Sequence, residues 1–191
     1  GSSLLLVPSN KAGQMPTPHI VVANPRLAFA KVLSEFFAPQ VEPGVHATAS
    51  IEEGAVTGST PHIGAFAHIG AEVVLGDNVV VGTQTVIVGR TTIGDRTMIR
   101  SNTVVGESGF GFEKDDRGIP QRIPHIGGVH IGTDCEIGAL NTIVSGTIDP
   151  TIIKDHVKTD DHVHIAHNCE IGNRVIITAG AIFSGSVHVG D

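Results

Sequence analysis

The chain has no tryptophan and no tyrosine, and only seven phenylalanines in 191 residues. A core without large aromatic rings has to be filled by Ile, Val, Leu and small side chains. Cysteine is scarce too. Two cysteines in a chain this long give no disulfide framework, which fits a reducing, cytoplasmic setting. No apolar run approaches the ~20 residues of a membrane span, and the opening "SSLLLVPSN" is too short and lacks the basic flank of a signal peptide. Positive charge is also in deficit: 12 Lys and Arg face 19 Asp and Glu, for a net charge of −7. That balance argues against a broad nucleic-acid footprint. Glycine, by contrast, is plentiful at 24 residues.

The glycines recur in a pattern. From Val45 the chain divides into sixes, "VHATAS IEEGAV TGSTPH IGAFAH IGAEVV" and onward. The frame breaks after Phe110, resumes at Ile131, slips by four residues at "DPTI" (149–152) and resumes at Ile153. The first position is Ile, Leu or Val in 18 of the 21 units, the exceptions being Thr57, Thr159 and Phe183. The second position is often Gly, and the fifth is mostly Ala, Val, Thr or Cys. A period of six is neither helical nor simple strand alternation. It fits a parallel β-helix in which each unit is one short strand plus one corner, and three units make a triangular coil. The first-position aliphatic then points inward and the fifth-position residue fills the tapering corner. Glycine is expected to relax the backbone where the chain bends. One coil cannot bury its inner face, but a stack of about seven can. Cys135 and Cys169 both fall at fifth positions. Corrected for the slip they are 30 residues apart, which is not a multiple of 18, so they sit on different edges as buried, inert filler.

Two stretches interrupt the sixes. Residues 111–128, "GFEKDDRGIPQRIPHIGG", carry charge, Pro and Gly and read as an excursion loop, a feature that a bare solenoid does not need. "DPTI" reads as a small bulge at a corner. Residues 1–44 are not hexapeptide. They hold a short strand, "HIVV", and a helix capped by Asn24 with Pro25 at its first position, an apolar face (Leu27, Val32, Leu33, Phe36, Phe37) and a stop at Pro39. This reads as the end of a small, incomplete α/β domain. The leading "GSS" reads as an added remnant, and the whole as a segment of a longer protein.

Residues 162–172, "HVHIAHNCEIG", place three histidines within six residues. In the six-residue frame His167 is a third-position residue and projects outward from an edge. His162 is a fourth-position residue on a different edge. His164 is a sixth-position residue on the flat outer face, a position it shares with His62, His68 and His188. His162 and His167 have the five-residue spacing used in metal-dependent carbonic-anhydrase-like hydratases of this fold, whose third histidine must stack in register. His130, 28 slip-corrected residues before His162, is out of register, and the place of His125 within the loop is open. The frame therefore brings no third histidine into register, and a metal-dependent hydratase of this kind is a distant alternative.

Three ordered segments carry a family resemblance. "VHIAHNCEIG" is very similar to the segment bearing the catalytic histidine of the UDP-3-O-(3-hydroxyacyl)glucosamine N-acyltransferases of lipid A synthesis. "ESGFGF" followed by "RIPHIGGVHIG" resembles that family's Gly-Phe-Gly-Phe loop and its "IPQIG" return. "NPRLAFAKVLSEFF" resembles the end of its N-terminal nucleotide-binding domain. The resemblance implies a left-handed β-helix over residues 45–191 and a cytoplasmic bacterial homotrimer with active sites between subunits. It also implies direct acyl transfer from acyl carrier protein or coenzyme A to the amine of a nucleotide-linked amino sugar, with no tightly bound cofactor and no metal. On this match His167 is the general base, and a near-neutral imidazole suits that task. Asp161 and Asp149 are candidates to orient its ring, His164, Asn168 and Ser145 are candidate contacts, and Gly109, Phe110, Gly111 and Phe112 form the acyl or substrate loop. A backbone amide of the adjacent coil is the expected oxyanion donor. Two departures bear on the substrate. The family's "TTIDRG" is here "NTIVSG", which puts Val144 and Ser145 in place of an Asp-Arg pair, and its "DN" is here Asp160-Asp161. Ser145 falls one coil from His167 on the same edge. Related enzymes acylate dTDP-linked amino-deoxysugars from short-chain acyl coenzyme A for O-antigen and other surface glycans, and they remain an alternative.

Overall fold

A computed structural model describes residues 4–191, and the leading "GSS" lies outside them. The chain divides into two compact units, residues 1–41 and 42–191. In the first, strand Leu5–Val7 pairs in parallel with His19–Val21, and the helix Pro25–Phe36 follows. Asn24 caps that helix by accepting the Leu27 amide at 3.1 Å, with Pro25 in the first turn. The strand Leu5–Val7 was not anticipated, because a run of three apolar residues carries no periodicity.

The second unit is a left-handed parallel β-helix, as the six-residue frame predicts. Its short strands form three parallel sheets of seven strands each. Each strand pairs with the one a full coil away; Ile87, for example, sits between Ile69 and Val105. Ile63, Ile69, Leu75, Val81, Ile87 and Ile93 all point into one continuous core, none more than 2% exposed. Buried fifth-position hydroxyls are satisfied along the axis: Thr97 Oγ1 donates to the Gly132 carbonyl at 2.8 Å and Thr103 Oγ1 to Gly138 at 2.7 Å. Cys135 and Cys169 are buried free thiols, and burial pushes both up from the ordinary thiol range.

The corner works differently from the expectation about glycine. The bend is made at the fourth position, where thirteen non-glycine residues, bulky Phe66 and Leu140 among them, hold φ between 52° and 61°. In this conformation the amide points along the axis. Asn78 donates to Ser59 O, Arg96 to Asp77 O and Ser186 to His167 O, all at 2.8–2.9 Å. That repeated bond offsets the steric cost of left-handed backbone. Gly54 and Gly180 take the same fourth position at positive φ, whereas second-position glycines such as Gly64 and Gly82 have ordinary φ and serve close packing. A Cβ on Gly82 would lie 2.5 Å from the Ser101 nitrogen, and one on Gly64 would lie 2.8 Å from that of Thr83.

Because each first-position side chain is shut between neighbouring coils, truncating one leaves a cavity that the stack cannot collapse. Ile93→Ala is therefore expected to lower unfolding free energy by ~2–5 kcal/mol. Chemical denaturation measures this, and a change under ~1 kcal/mol would contradict the packing described.

Candidate active site

His167 follows the strand His164–Ile165 and occupies the third position of its unit, where other units carry Asp. Those aspartates cap a neighbouring coil: Asp77 accepts the Ser59 amide and Asp95 the Asp77 amide. At His167 the capping passes to the next residue. Asn168 Oδ1 accepts from Thr147 N at 3.1 Å and from Thr147 Oγ1 at 2.9 Å, and its Nδ2 donates to Asp149 O at 3.0 Å. Donors on one side and a carbonyl on the other fix which way the amide faces. His167 Nδ1 lies 3.2 Å from Asn168 Oδ1. That oxygen only accepts, so Nδ1 carries the ring proton and Nε2 keeps its lone pair. One coil on, Gly185 makes room for the ring: a Cβ there would lie 2.6 Å from His167 Cε1 and 2.7 Å from Nε2. The Gly185 N–H has no hydrogen-bond partner among the described residues.

The two interruptions of the repeat, which in the sequence look independent, meet at this point. Ile126 N donates to Thr147 O and Gly127 N to Gly146 O, both at 2.9 Å. Gly146 N and Thr151 N donate to Gly128 O at 3.0 and 3.1 Å. The return of the excursion loop is thereby fixed to the four-residue slip, and His125 is carried against His167. The two ring centroids are 5.0 Å apart and the planes are tilted by 60°. His125 sits against Gly109 and Gly111, where added Cβ atoms would come within 3.0 Å of its Cδ2 and 2.7 Å of its Cε1. Burial, and then the charge of His167, pull the His125 pKa below its ordinary value, with Arg122 acting in the same direction and the Ile123 backbone against it. His125 Nδ1 is buried without a hydrogen-bond partner among the described residues.

The rest of the loop is an antiparallel hairpin, Phe112–Lys114 with Pro120–Arg122. Phe110 is 87% exposed and edge-on to Phe112, with ring centroids 5.0 Å apart, while the Arg122 guanidinium lies 4.7 Å over Phe112.

The other candidate residues fall as follows. Neither carboxylate proposed to orient His167 does so. Asp161 accepts the Ala139 amide at 2.8 Å, capping a different edge as third-position aspartates do. Asp149 takes part through its backbone carbonyl. Ser145 lies on the His167 edge, but it is buried and its hydroxyl donates to Gly106 O at 2.6 Å. His164 is half-buried on the outer face of its strand, and His162 forms a corner on another edge with φ 58°. Among the described residues no three His, Cys, Asp or Glu side chains converge as a metal-binding group. His125 and Thr147 are the residues that sequence reasoning missed. Their one signal was that both lie in or beside breaks in the six-residue frame.

Parts of the β-helix match a known repeat family. Residues 73–107 and 150–191 match the family model "Bacterial transferase hexapeptide (six repeats)". The chain is 39% identical over 205 residues to the UDP-3-O-acylglucosamine N-acyltransferase of Coxiella burnetii, a match covering 97% of this chain and 60% of the relative. It is 41% identical over 91 residues to the enzyme of the same name from Bordetella parapertussis, covering 46% and 25%. A solved UDP-N-acetylglucosamine acyltransferase from Campylobacter jejuni superposes with TM-score 0.69 at 35% identity, covering 78% of this chain and 56% of that one. The chain thus carries hexapeptide repeats and is similar to proteins named as acyltransferases of nucleotide-linked amino sugars, and it spans about 60% of the length of the Coxiella relative.

Proposed function

We propose that this protein is an N-acyltransferase that moves an acyl group from an acyl thioester to the amine of a nucleotide-linked amino sugar, with His167 as general base. The observation that carries the reading is the fixed ring: Nδ1 is committed to Asn168, and Nε2 is free beside Gly185. As the sugar nitrogen attacks the thioester carbonyl, Nε2 removes a proton from it. The Gly185 amide is the candidate donor to the oxyanion that forms. Collapse of the tetrahedral intermediate breaks the C–S bond, and the imidazolium returns its proton to the departing thiolate. The exposed Phe110 and its partner Phe112 give an acyl chain an apolar surface near the site. The reaction takes place in the cytoplasm, and acyl carrier protein or coenzyme A supplies the donor. Among the described residues no helix is long and apolar enough to cross a membrane.

A second reading rests on a particular observation. Val144 and Ser145, both buried, stand where the lipid A enzymes have an Asp-Arg pair. A short buried hydroxyl cannot reach a substrate as an arginine would, which favours another sugar, such as a dTDP-linked amino-deoxysugar acylated from a short-chain acyl coenzyme A. A screen of acyl carrier protein and coenzyme A donors against UDP- and dTDP-amino sugars separates the two readings. Failure of every pair to react would reject both.

The site also calls for a partner subunit. A histidine on a convex edge makes no pocket alone, and the apolar side chains of Phe110, Ile126 and Ile148 stand 87%, 61% and 76% exposed on the residues that surround it. The protein is a homotrimer in which a neighbouring copy covers these residues, with loop 111–128 lining the groove. Light scattering is expected to give three times the 19.8-kDa chain mass. A monomer at micromolar concentration would oppose this assembly.

A further inference from the structure

We propose, on top of the acyltransferase reading, that His125 is a positioning residue through which both interruptions of the β-helix hold the His167 ring. The contacts form a closed circuit. Thr147, just before the slip, gives its N–H and hydroxyl to Asn168 Oδ1, the acceptor for His167 Nδ1. The carbonyl of the same Thr147 takes the Ile126 amide, which places His125 next door with its ring 5.0 Å from that of His167. Gly109 approaches from the strand Val104–Ser108, two coils earlier in the stack: a Cβ there would touch both the His125 ring and, at 3.2 Å, His167 Cβ. Gly185 supports His167 from the coil that follows. His167 is therefore held at Nδ1 by Asn168, and its ring is bounded by His125 and by Gly185. Removing His125 opens one of these boundaries and lets the ring leave the orientation in which Nε2 faces the acceptor amine.

The charged and titratable groups around His125 are His167 and Arg122, together with Arg90 and Glu72, which line the small cleft beside it with Ser145. Burial, and then His167 and Arg122, disfavour a charge on His125, so its ring stays a neutral neighbour of His167. The observed link between the two residues is ring contact, with centroids 5.0 Å apart and no hydrogen bond between them, so packing is what His125 supplies to His167.

The test compares wild type, His125→Ala and His125→Phe by two readouts. The first is nitrogen-15 NMR of the histidine side chains. The Nδ1–H tautomer of His167 is expected in wild type and in His125→Phe and is expected to be lost in His125→Ala; in His167→Ala, the pKa of His125 should rise. The second is steady-state acyl transfer. His125→Ala is expected to lower kcat ~10–10²-fold, the scale of a misplaced reacting group, with KM near wild type, and His125→Phe to restore most of it. An unchanged His167 tautomer in His125→Ala overturns the proposal, as does a Phe variant as slow as the Ala variant. If wild type transfers no acyl group, the acyltransferase reading has failed, and the NMR comparison still decides whether His125 positions His167.

Discussion

His167→Ala is expected to slow acyl transfer by ~10²–10⁴-fold, the usual contribution of a positioned proton acceptor. The expectation follows from the ring's environment. Asn168 Oδ1 is held by Thr147 and accepts from Nδ1, so the lone pair on Nε2 is the one basic site that the ring offers. His164→Ala should be mild, because that side chain lies on the outer face of its strand. His162→Ala should matter only if a neighbouring subunit brings that corner close. EDTA should leave the rate unchanged. Were His162 and His167 equally essential, with activity lost to EDTA and restored by zinc, the site would belong to a metal-dependent hydratase instead.

The β-helix was legible in the sequence because its signal is repeated. An aliphatic first position recurs in 18 of 21 units, and a single exception such as Thr57 does not break the pattern. Repetition also placed His167 on an outward edge and kept His162 on another. The orienting group for His167 was less legible. A carboxylate is the usual partner of a catalytic imidazole, which makes Asp161 and Asp149 the candidates in the sequence, but third-position aspartates such as Asp161 are occupied in capping the neighbouring coil. Asn168 can orient the ring because His167 occupies the capping position and leaves the Thr147 amide to the next residue. His125 was illegible for a different reason. A periodic frame says nothing about segments that leave it, and the loop and the slip come together only through backbone bonds such as Ile126 to Thr147 and Gly127 to Gly146. The role of glycine was legible only in part, because its two uses, positive φ as at Gly54 and Gly180 and close approach as at Gly64 and Gly82, leave the same mark in a sequence. Only the backbone angles distinguish them.

Gly185→Ala is expected to reduce turnover by ~10²-fold, the cost of displacing a reacting group by about an ångström, while leaving the fold intact. The added Cβ would lie 2.6 Å from His167 Cε1 and 2.7 Å from Nε2, closer than real Cβ contacts allow. What it meets is the free end of a side chain, so the ring can move aside without shifting the backbone. Gly185 is not among the positive-φ residues, so alanine adds no backbone strain there, and the loss of chain entropy in the unfolded state even favours it slightly. Stability and activity should therefore separate. Gly82→Ala should do the reverse, because its Cβ would meet the Ser101 backbone nitrogen at 2.5 Å and the coils themselves would have to part. Thermal melts and kcat on the two variants measure both effects. A double variant isolates the cause: if Gly185→Ala acts only by moving the His167 ring, it should cost nothing further in a His167→Ala background. An equal loss in both backgrounds would mean that the Gly185 backbone, and its free N–H, matters to the reaction independently of His167.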